Sequence, residues 1–502
     1  MAELAERPFP PGDYPVVVVG SGPGGLQVSY CLGRLGVPHA VVSADPAPGG
    51  MFRRFPIFQR LLSWTRPHAP YERTDRYYER YDWNSLLAEE PEHRGLAATF
   101  MDGSSEFPAR PEMERNLAAF AERTRVAVRY GCRWTATRRE GDRFVLETTD
   151  GEYRARLLVF AVGMAEPWKP ATPGLDQVPH YAETRSAADY AGRRVFIVGK
   201  RNSGFELAEG LLPWASQIVL ASPRPAKLSV VTRSLVGIRA RYLQPYEDAV
   251  IGGGIHLIDA SIERIERTAG GYRVVARSTM TSRELLFQAE AVIAATGFGT
   301  PLGDLAALGV QTFNQGKLPV LTPYWESVTV PGVYFAGTIS QAMSGLRKHG
   351  VPSNSGAVQG ARYNARVLAL HIAQVHFGIA PARPPVAPDR VVGHLLSEAT
   401  RGPELWHQRS YLARVLSFGP AAGIRDEGIW PLAHFVDAPG PEACAVTVEH
   451  TAEGEMRPAL YVRREGRVDE HTMATNELLD FETAEHRAEL AGLLDGLGGW
   501  HA

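Results

Sequence analysis

Val16-Val17-Val18-Val19-Gly20-Ser21-Gly22-Pro23-Gly24-Gly25-Leu26 carries four β-branched residues straight into a glycine turn. Such an apolar run reads as a buried strand. Residues 26–36 that follow read as a helix. Gly20, Gly22 and Gly25 stand in the G-x-G-x-x-G spacing, and Gly24 lies among them. Between a strand and a helix, that spacing is the dinucleotide-binding turn. Gly20 permits the tight turn. Gly22 lets backbone approach a pyrophosphate held at the positive end of the helix. Gly25 lets helix and strand pack closely.

Working outward, Ala40-Val41-Val42-Ser43 reads as the next strand and completes a βαβ start for a parallel sheet. An acidic residue commonly ends this strand and binds ribose hydroxyls. Here Ser43 holds that place, with Asp45 two residues on, so either is a candidate ligand. Gly50, Met51 and Phe52 open an aromatic, arginine-rich stretch over 49–85 with neither helix nor strand period. It reads as a loop lining a flavin and its substrate, or as a surface loop packed by its own aromatics. Arg53 in this loop is a candidate to neutralise phosphate or peroxide charge. A helix is expected over 111–124 and a buried strand over 157–163. The prolines at 167, 170 and 173 then mark a domain crossover.

A second turn follows. Arg194-Val195-Phe196-Ile197-Val198 leads into Gly199-Lys200-Arg201-Asn202-Ser203-Gly204, with a helix over 205–212. Gly199 and Gly204 take the first and third glycine places, and Arg201 takes the middle one. The strand over 218–220 ends without an acid, and Arg224 and Lys227 lie just beyond it. Basic and acid-poor at that point suits a 2′-phosphate, hence NADPH over NADH. Asn202 and Ser203 are expected to hold the nicotinamide nucleotide. Two further strand ends carry glycine, at Thr296-Gly297 and Gly337-Thr338. Ser355 and Gly356 open a helix over 357–375, whose amides can receive an anionic ring oxygen.

At 502 residues two or three domains are expected. The net charge of −2 gives no reason to expect a nucleic-acid partner. No apolar run approaches a membrane helix, and residues 1–7 lack an apolar leader core. Cys31, Cys132 and Cys444 are far apart, so neither a dithiol nor a cysteine metal site is encoded locally. A cytoplasmic setting is the simplest expectation, without a metal, and a homo-oligomer is compatible with it.

Several stretches resemble the FAD-dependent oxidoreductase-domain-containing proteins of the flavin-monooxygenase-like group. They are Arg54-Phe55-Pro56, Asp82-Trp83-Asn84-Ser85-Leu86-Leu87, Asn202-Ser203-Gly204-Phe205-Glu206, Tyr334-Phe335-Ala336-Gly337-Thr338 and Gly360-Ala361-Arg362-Tyr363. Ala295-Thr296-Gly297-Phe298 is similar to the corresponding strand end of class B flavin monooxygenases and flavin N-hydroxylases. The resemblance implies an α/β fold of two Rossmann-like dinucleotide-binding domains, with an NAD(P) domain inserted in an FAD domain, plus a C-terminal α+β segment. The expected boundaries are 1–165 with 290–378 for FAD, 166–289 for NAD(P)H, and 379–502. It implies FAD at 20–25 and NAD(P)H at 199–204. Ser43, Arg201, Val162 and Thr338 depart from the family's usual residues. Thr172, Gly174 and His180 do not meet the class B fingerprint.

Three functions follow as expectations. The first is an NADPH-using monooxygenase that delivers one oxygen of O2 from flavin C4a to a small amine or thioether, with Asn202 and Arg53 as its catalytic side chains. The second is an NAD(P)H-dependent reductase or oxidase of another acceptor. The third is a flavin-binding protein without catalysis.

Overall fold

The computed structural model describes residues 7–58, 60–184, 186–232, 237–342, 345, 353–419, 423–495 and 497. Residues 1–6, on which the reading of the amino terminus rests, lie outside them. The chain forms two compact units. The first comprises Met1–Gly50, Ser63–Gly163 and Leu302–Ala502; the second comprises Met51–Leu62 and Met164–Pro301.

In the first unit, strand Gly12–Val19 lies between parallel strands His39–Val42 and Gly151–Phe160. Val16 faces Leu157 and Val19 faces Phe160 in register. Val16, Val17 and Val18 are fully buried, as a strand covered on both faces requires. Each contributes roughly 1.5–3 kcal/mol of transfer free energy. The long strand Gly151–Phe160 has two jobs. Its first half pairs antiparallel with Arg143–Thr148, and its second half pairs parallel with Val333–Phe335. Helix Pro23–Arg34 begins earlier than the sequence reading placed it. Pro23 sits at the first helical position, where its missing N–H costs nothing.

The C-terminal segment is a five-stranded antiparallel sheet in the order Arg425–Pro431, Leu412–Ser417, Ala443–His450, Met456–Arg464, Arg467–Thr472. Helices Val391–Arg401 and Ala484–Leu494 share its apolar core of Leu395, Leu396, Val446, Leu460 and Leu490. The α+β character is as expected, but the segment is not a separate body. Arg76 forks to Glu398 at 2.8 Å and reaches Glu404 at 2.6 Å, and so binds the segment into the first unit.

The second unit holds a six-stranded sheet in the order Glu284–Ala289, Gly271–Ser278, Ile255–Thr268, Gln217–Ser222, Arg194–Val198, Ala291–Ala294. Its last four strands are parallel. Ala291–Ala294 pairs with Arg194–Val198, so this strand closes the inserted sheet rather than returning to the first. The boundary expected at 290 therefore falls after Pro301. An apolar buried strand suits either sheet equally, which is why its sequence does not assign it. Residues 51–62 also join the second unit, ahead of the rest of the insertion.

Candidate functional site

The first turn is built from backbones in close approach. Gly20 has φ +112°, and a Cβ there would lie 2.5 Å from the Ala161 carbonyl oxygen. A Cβ on Gly25 would come within 1.9 Å of the Gly20 oxygen, so helix and strand need glycine where they cross. Gly24 meets Gly337 in the same way, with its Cβ position 2.5 Å from the Gly337 Cα. Gly50 has φ +56°, and its Cβ position lies 2.8 Å from the Gly22 Cα. The Gly49 N–H donates to the Ser21 carbonyl at 3.1 Å. So Gly20, Gly22, Gly24, Gly25, Gly50 and Gly337 converge on one turn. Gly22 caps the helix without a side-chain hydrogen bond. The first-turn amides thus keep their capacity for an anion, which fits the pyrophosphate of a dinucleotide.

Ser43 is buried directly after the second strand. Its hydroxyl lies 2.8 Å from that of Ser21 and accepts from the Asp45 N–H at 3.2 Å. The hydroxyl thereby braces the turn at the end of the second strand. The half-exposed Asp45 carboxylate has no ion pair among the described residues. Thr338 lies part-exposed in the 3-10 turn Gly337–Ala342. Gly356 faces Gln341 from that turn; its Cβ position is 3.1 Å from Gln341 Oε1. The expected helix begins at Val358 with Ala357 as its cap, so Ser355 does not cap it. Ser355 is fully buried, and its hydroxyl accepts from Asn364 and from Gln408, both at 2.9 Å.

The aromatic stretch is held from within the first unit. Arg362 donates to the carbonyls of Ser85, Glu79 and Asp82 at 2.6, 2.9 and 2.7 Å. Trp64 and Trp83 pack at a ring-centroid distance of 4.6 Å. Gly50–Arg53 forms a 3-10 turn. Met51 packs on the core of the second unit, while Phe52 and Arg53 complete the turn half-buried.

The second turn repeats the first with different chemistry. Gly199 has φ +130°, and its Cβ position lies 2.3 Å from the Ala295 carbonyl oxygen; that of Gly204 lies 2.4 Å from the Gly199 oxygen. Helix Asn202–Leu211 is capped by Arg201 without a side-chain hydrogen bond, and Ser203 sits in its first turn. The Asn202 carboxamide donates to the Gly237 carbonyl at 3.2 Å and accepts from the Arg239 N–H at 3.3 Å. It positions the segment following residue 236, and both ends of the amide serve that task. Arg224 and Lys227 are exposed beyond strand Gln217–Ser222.

Thr296 and Gly297 belong to this second site. The Thr296 hydroxyl donates to the Trp168 carbonyl at 2.5 Å. His180 Nδ1 accepts from the Ala182 N–H at 3.1 Å, so Nε2 carries the proton and donates to the Gly297 carbonyl at 2.9 Å. Burial lowers the His180 pKa and keeps the ring neutral.

Two pairs escaped the sequence reading. Lys200, inside the turn, is buried and paired with Asp259. Their separation along the chain leaves no local signal. Glu206, on the turn's helix, is buried, accepts from the Phe58 N–H at 2.9 Å, and takes the Tyr181 hydroxyl proton bond. Burial pushes its carboxyl up to about 7. A glutamate inside an otherwise apolar helix face was the available signal.

The family model for pyridine nucleotide-disulphide oxidoreductases matches residues 17–337, from the first strand to the glycine that meets Gly24. The chain belongs to the pyridine nucleotide-disulphide oxidoreductase family. It is 27% identical over 414 residues to the mouse FAD-dependent oxidoreductase domain-containing protein 2, covering 75% of this chain and 60% of the relative. The zebrafish counterpart is 29% identical over 278 residues, 53% of this chain and 39% of that protein. The chain thus spans less than two thirds of either relative. A ferredoxin–NADP reductase of Thermus thermophilus is 27% identical over 339 residues, covering 64% of this chain and 84% of the reductase. The solved flavin-containing monooxygenase of Stenotrophomonas maltophilia shares the fold, with a TM-score of 0.54 over 72% of this chain and 98% of that one at 22% identity.

The family's name speaks of disulphides, yet the three cysteines of this chain are all free and buried. Burial raises the thiol pKa of Cys31 to about 11 and pushes that of Cys444 higher still. Neither is poised as a thiolate.

Proposed function

We propose that this family member is an FAD-dependent, NADPH-using monooxygenase that transfers one oxygen of O2 to a small amine or thioether. The observation that carries the reading is that the three cysteines are free, buried and far apart in sequence. Dithiol exchange needs a protein thiol pair, and free, buried cysteines with raised thiol pKa values favour direct electron transfer from the flavin to a small acceptor. The strand end at 295–298, braced by Trp168 and His180, supports oxygen transfer through its likeness to flavin monooxygenases. When bound, FAD and NADPH supply the hydride and oxygen chemistry.

The chain's own residues bind and orient. The uncapped amides at Gly24 and Gly25 receive one pyrophosphate, and those after Arg201 receive the other. Asp45 takes the ribose hydroxyls in place of Ser43. Arg224 and Lys227 take the 2′-phosphate, for which a guanidinium fork is suited. The partners in this reading are a small-molecule substrate and O2, in the cytoplasm, where unpaired thiols persist. Among the described residues no helix is long and apolar enough to cross a membrane.

The Thermus relative favours a second reading, direct reduction of an external acceptor. An amine and thioether panel with NADPH separates the two. Oxygenated product formed in step with O2 uptake supports monooxygenation. NADPH oxidation driven by menadione, with no oxygenated product from any panel member, selects the reductase.

A further inference from the structure

A dinucleotide-binding sheet reads the adenosine ribose at the end of its second strand, where an acid selects the free 2′-hydroxyl. In the second unit that strand, Gln217–Ser222, ends on Ser222. An acid nevertheless stands beside it. Asp259 on strand Ile255–Thr268 is in parallel register with Ser222. The two backbones are therefore one strand spacing apart, about 4.8 Å. The two residues also share a face. Ile218 and Leu220 precede Ser222 at period two, and Ile255 and Leu257 precede Asp259 likewise. All four pack in one core with Phe205 and Leu211 of helix Asn202–Leu211. Ser222 and Asp259 thus point to the side of the sheet that carries the nucleotide helix.

Hydrogen bonds hold Asp259 against the loop that follows Ser222. The Thr279 hydroxyl lies 3.2 Å from the Pro223 carbonyl oxygen and 3.1 Å from that of Asp259. The Thr279 N–H donates to the same Asp259 carbonyl at 2.9 Å. The Ser222 hydroxyl donates to the Arg224 carbonyl at 3.4 Å. A carboxylate so placed opposes a 2′-phosphate on that loop. Lys200, from the nucleotide turn itself, answers it by donating to Asp259 Oδ1. The pair is asymmetric. The Lys200 side chain is 1% exposed and that of Asp259 is 25% exposed. The ammonium is committed to the carboxylate and shut off from solvent, as a buried cation requires.

We infer that Lys200 sets nucleotide specificity through Asp259: it neutralises the one carboxylate in register with the strand end, so that the 2′-phosphate of NADPH is not repelled there. The inference rests on the NADPH reading, in which Arg224 and Lys227 take that phosphate. Lys200 acts on Asp259 and not on the nucleotide, so it is a positioning residue. With the pair intact, the exposed Arg224 and Lys227 set the local charge. With Lys200 neutral, the Asp259 carboxylate opposes them. NADH presents a hydroxyl in the same place and carries no charge there to repel.

The test is calorimetric titration of the oxidised, flavin-loaded protein with NADP+ and with NAD+. In Lys200→Gln, whose amide can still donate to Asp259, the Kd for NADP+ should rise about ten-fold and that for NAD+ should stay within about two-fold. Adding Asp259→Asn to Lys200→Gln should bring the NADP+ Kd back to within about two-fold of the parent. Asp259→Asn alone leaves the Lys200 charge unopposed and should bind NADP+ at least as tightly as the parent, a check that holds even where Lys200→Gln does not fold. Equal losses for both nucleotides in Lys200→Gln overturn the inference, because the pair is then structural. A double variant that stays weak overturns it too, because Lys200 then acts on the nucleotide itself, as does weakened NADP+ binding in Asp259→Asn. A parent that binds NAD+ as tightly as NADP+ overturns the NADPH reading and this inference with it. A parent that prefers NADP+, with a preference that Lys200→Gln leaves intact, overturns this inference alone.

Discussion

At the scale of single residues, the account rests on places where a Cβ has no room and on charges without partners. Gly24 is the sharpest case, with backbone of Gly337 2.5 Å from where its Cβ would go. Gly24→Ala has to push the two segments apart at a cost of about 1–3 kcal/mol, which lowers FAD affinity roughly ten-fold or more. The purified variant should carry little flavin absorbance. Gly33→Ala on the same helix, whose Cβ would be 4.0 Å from its nearest neighbour, should stay yellow. Retention of full flavin by Gly24→Ala would remove this turn from the FAD site. Arg224 is exposed and holds its charge in solvent. Arg224→Ala should raise KM for NADPH about ten-fold and leave both kcat and KM for NADH near their starting values, the pattern of lost ground-state binding. Equal changes for both nucleotides would take the 2′-phosphate away from Arg224.

At the scale of elements, the second nucleotide helix carries a titrating strut. Glu206 ties helix Asn202–Leu211 to Phe58 and Tyr181. Burial raises its folded pKa to about 7, from an ordinary carboxyl value of 4.5. The folded state therefore binds a proton that the unfolded chain has released between those two values. Its contribution to stability is greatest below about pH 4.5, falls as pH rises, and is lost by about pH 7, an effect of up to about 3 kcal/mol. Glu206→Gln cannot titrate. The Tm difference between variant and parent should move in favour of the variant as pH is raised from 4.5 to 7.5. A constant difference across that range would mean that Glu206 stays ionised in the folded protein. The first unit has a comparable strut in Arg76. Arg76→Met leaves Glu398 buried without its cation and Glu404 with Arg366 alone, which costs about 3–5 kcal/mol and should show as a fall in Tm.

At the scale of the whole molecule, two sheets with two glycine turns were legible because buried parallel strands must be apolar runs and because close backbone approach selects glycine. Val16–Val19 and Arg194–Val198 follow that logic alone. The assignment of Ala291–Ala294 was not legible, since pairing partners of a short apolar strand are set by the tertiary fold. Nor was the placement of 379–502 within the first unit, which depends on pairs such as Arg76 with Glu398, more than 300 residues apart. Ser43 could be located but not its hydrogen bond to Ser21, and Asn202 could be located but not its hold on Gly237. The central claim is that one flavin receives electrons from NADPH and passes them on without a protein dithiol. It is tested most directly by anaerobic titration of the flavoprotein with NADPH, followed at the flavin absorbance bands. The account predicts full bleaching at one NADPH per flavin, with colour restored by O2. A requirement for two NADPH per flavin would reveal a second two-electron centre and contradict it, as would a flavin that NADPH leaves oxidised.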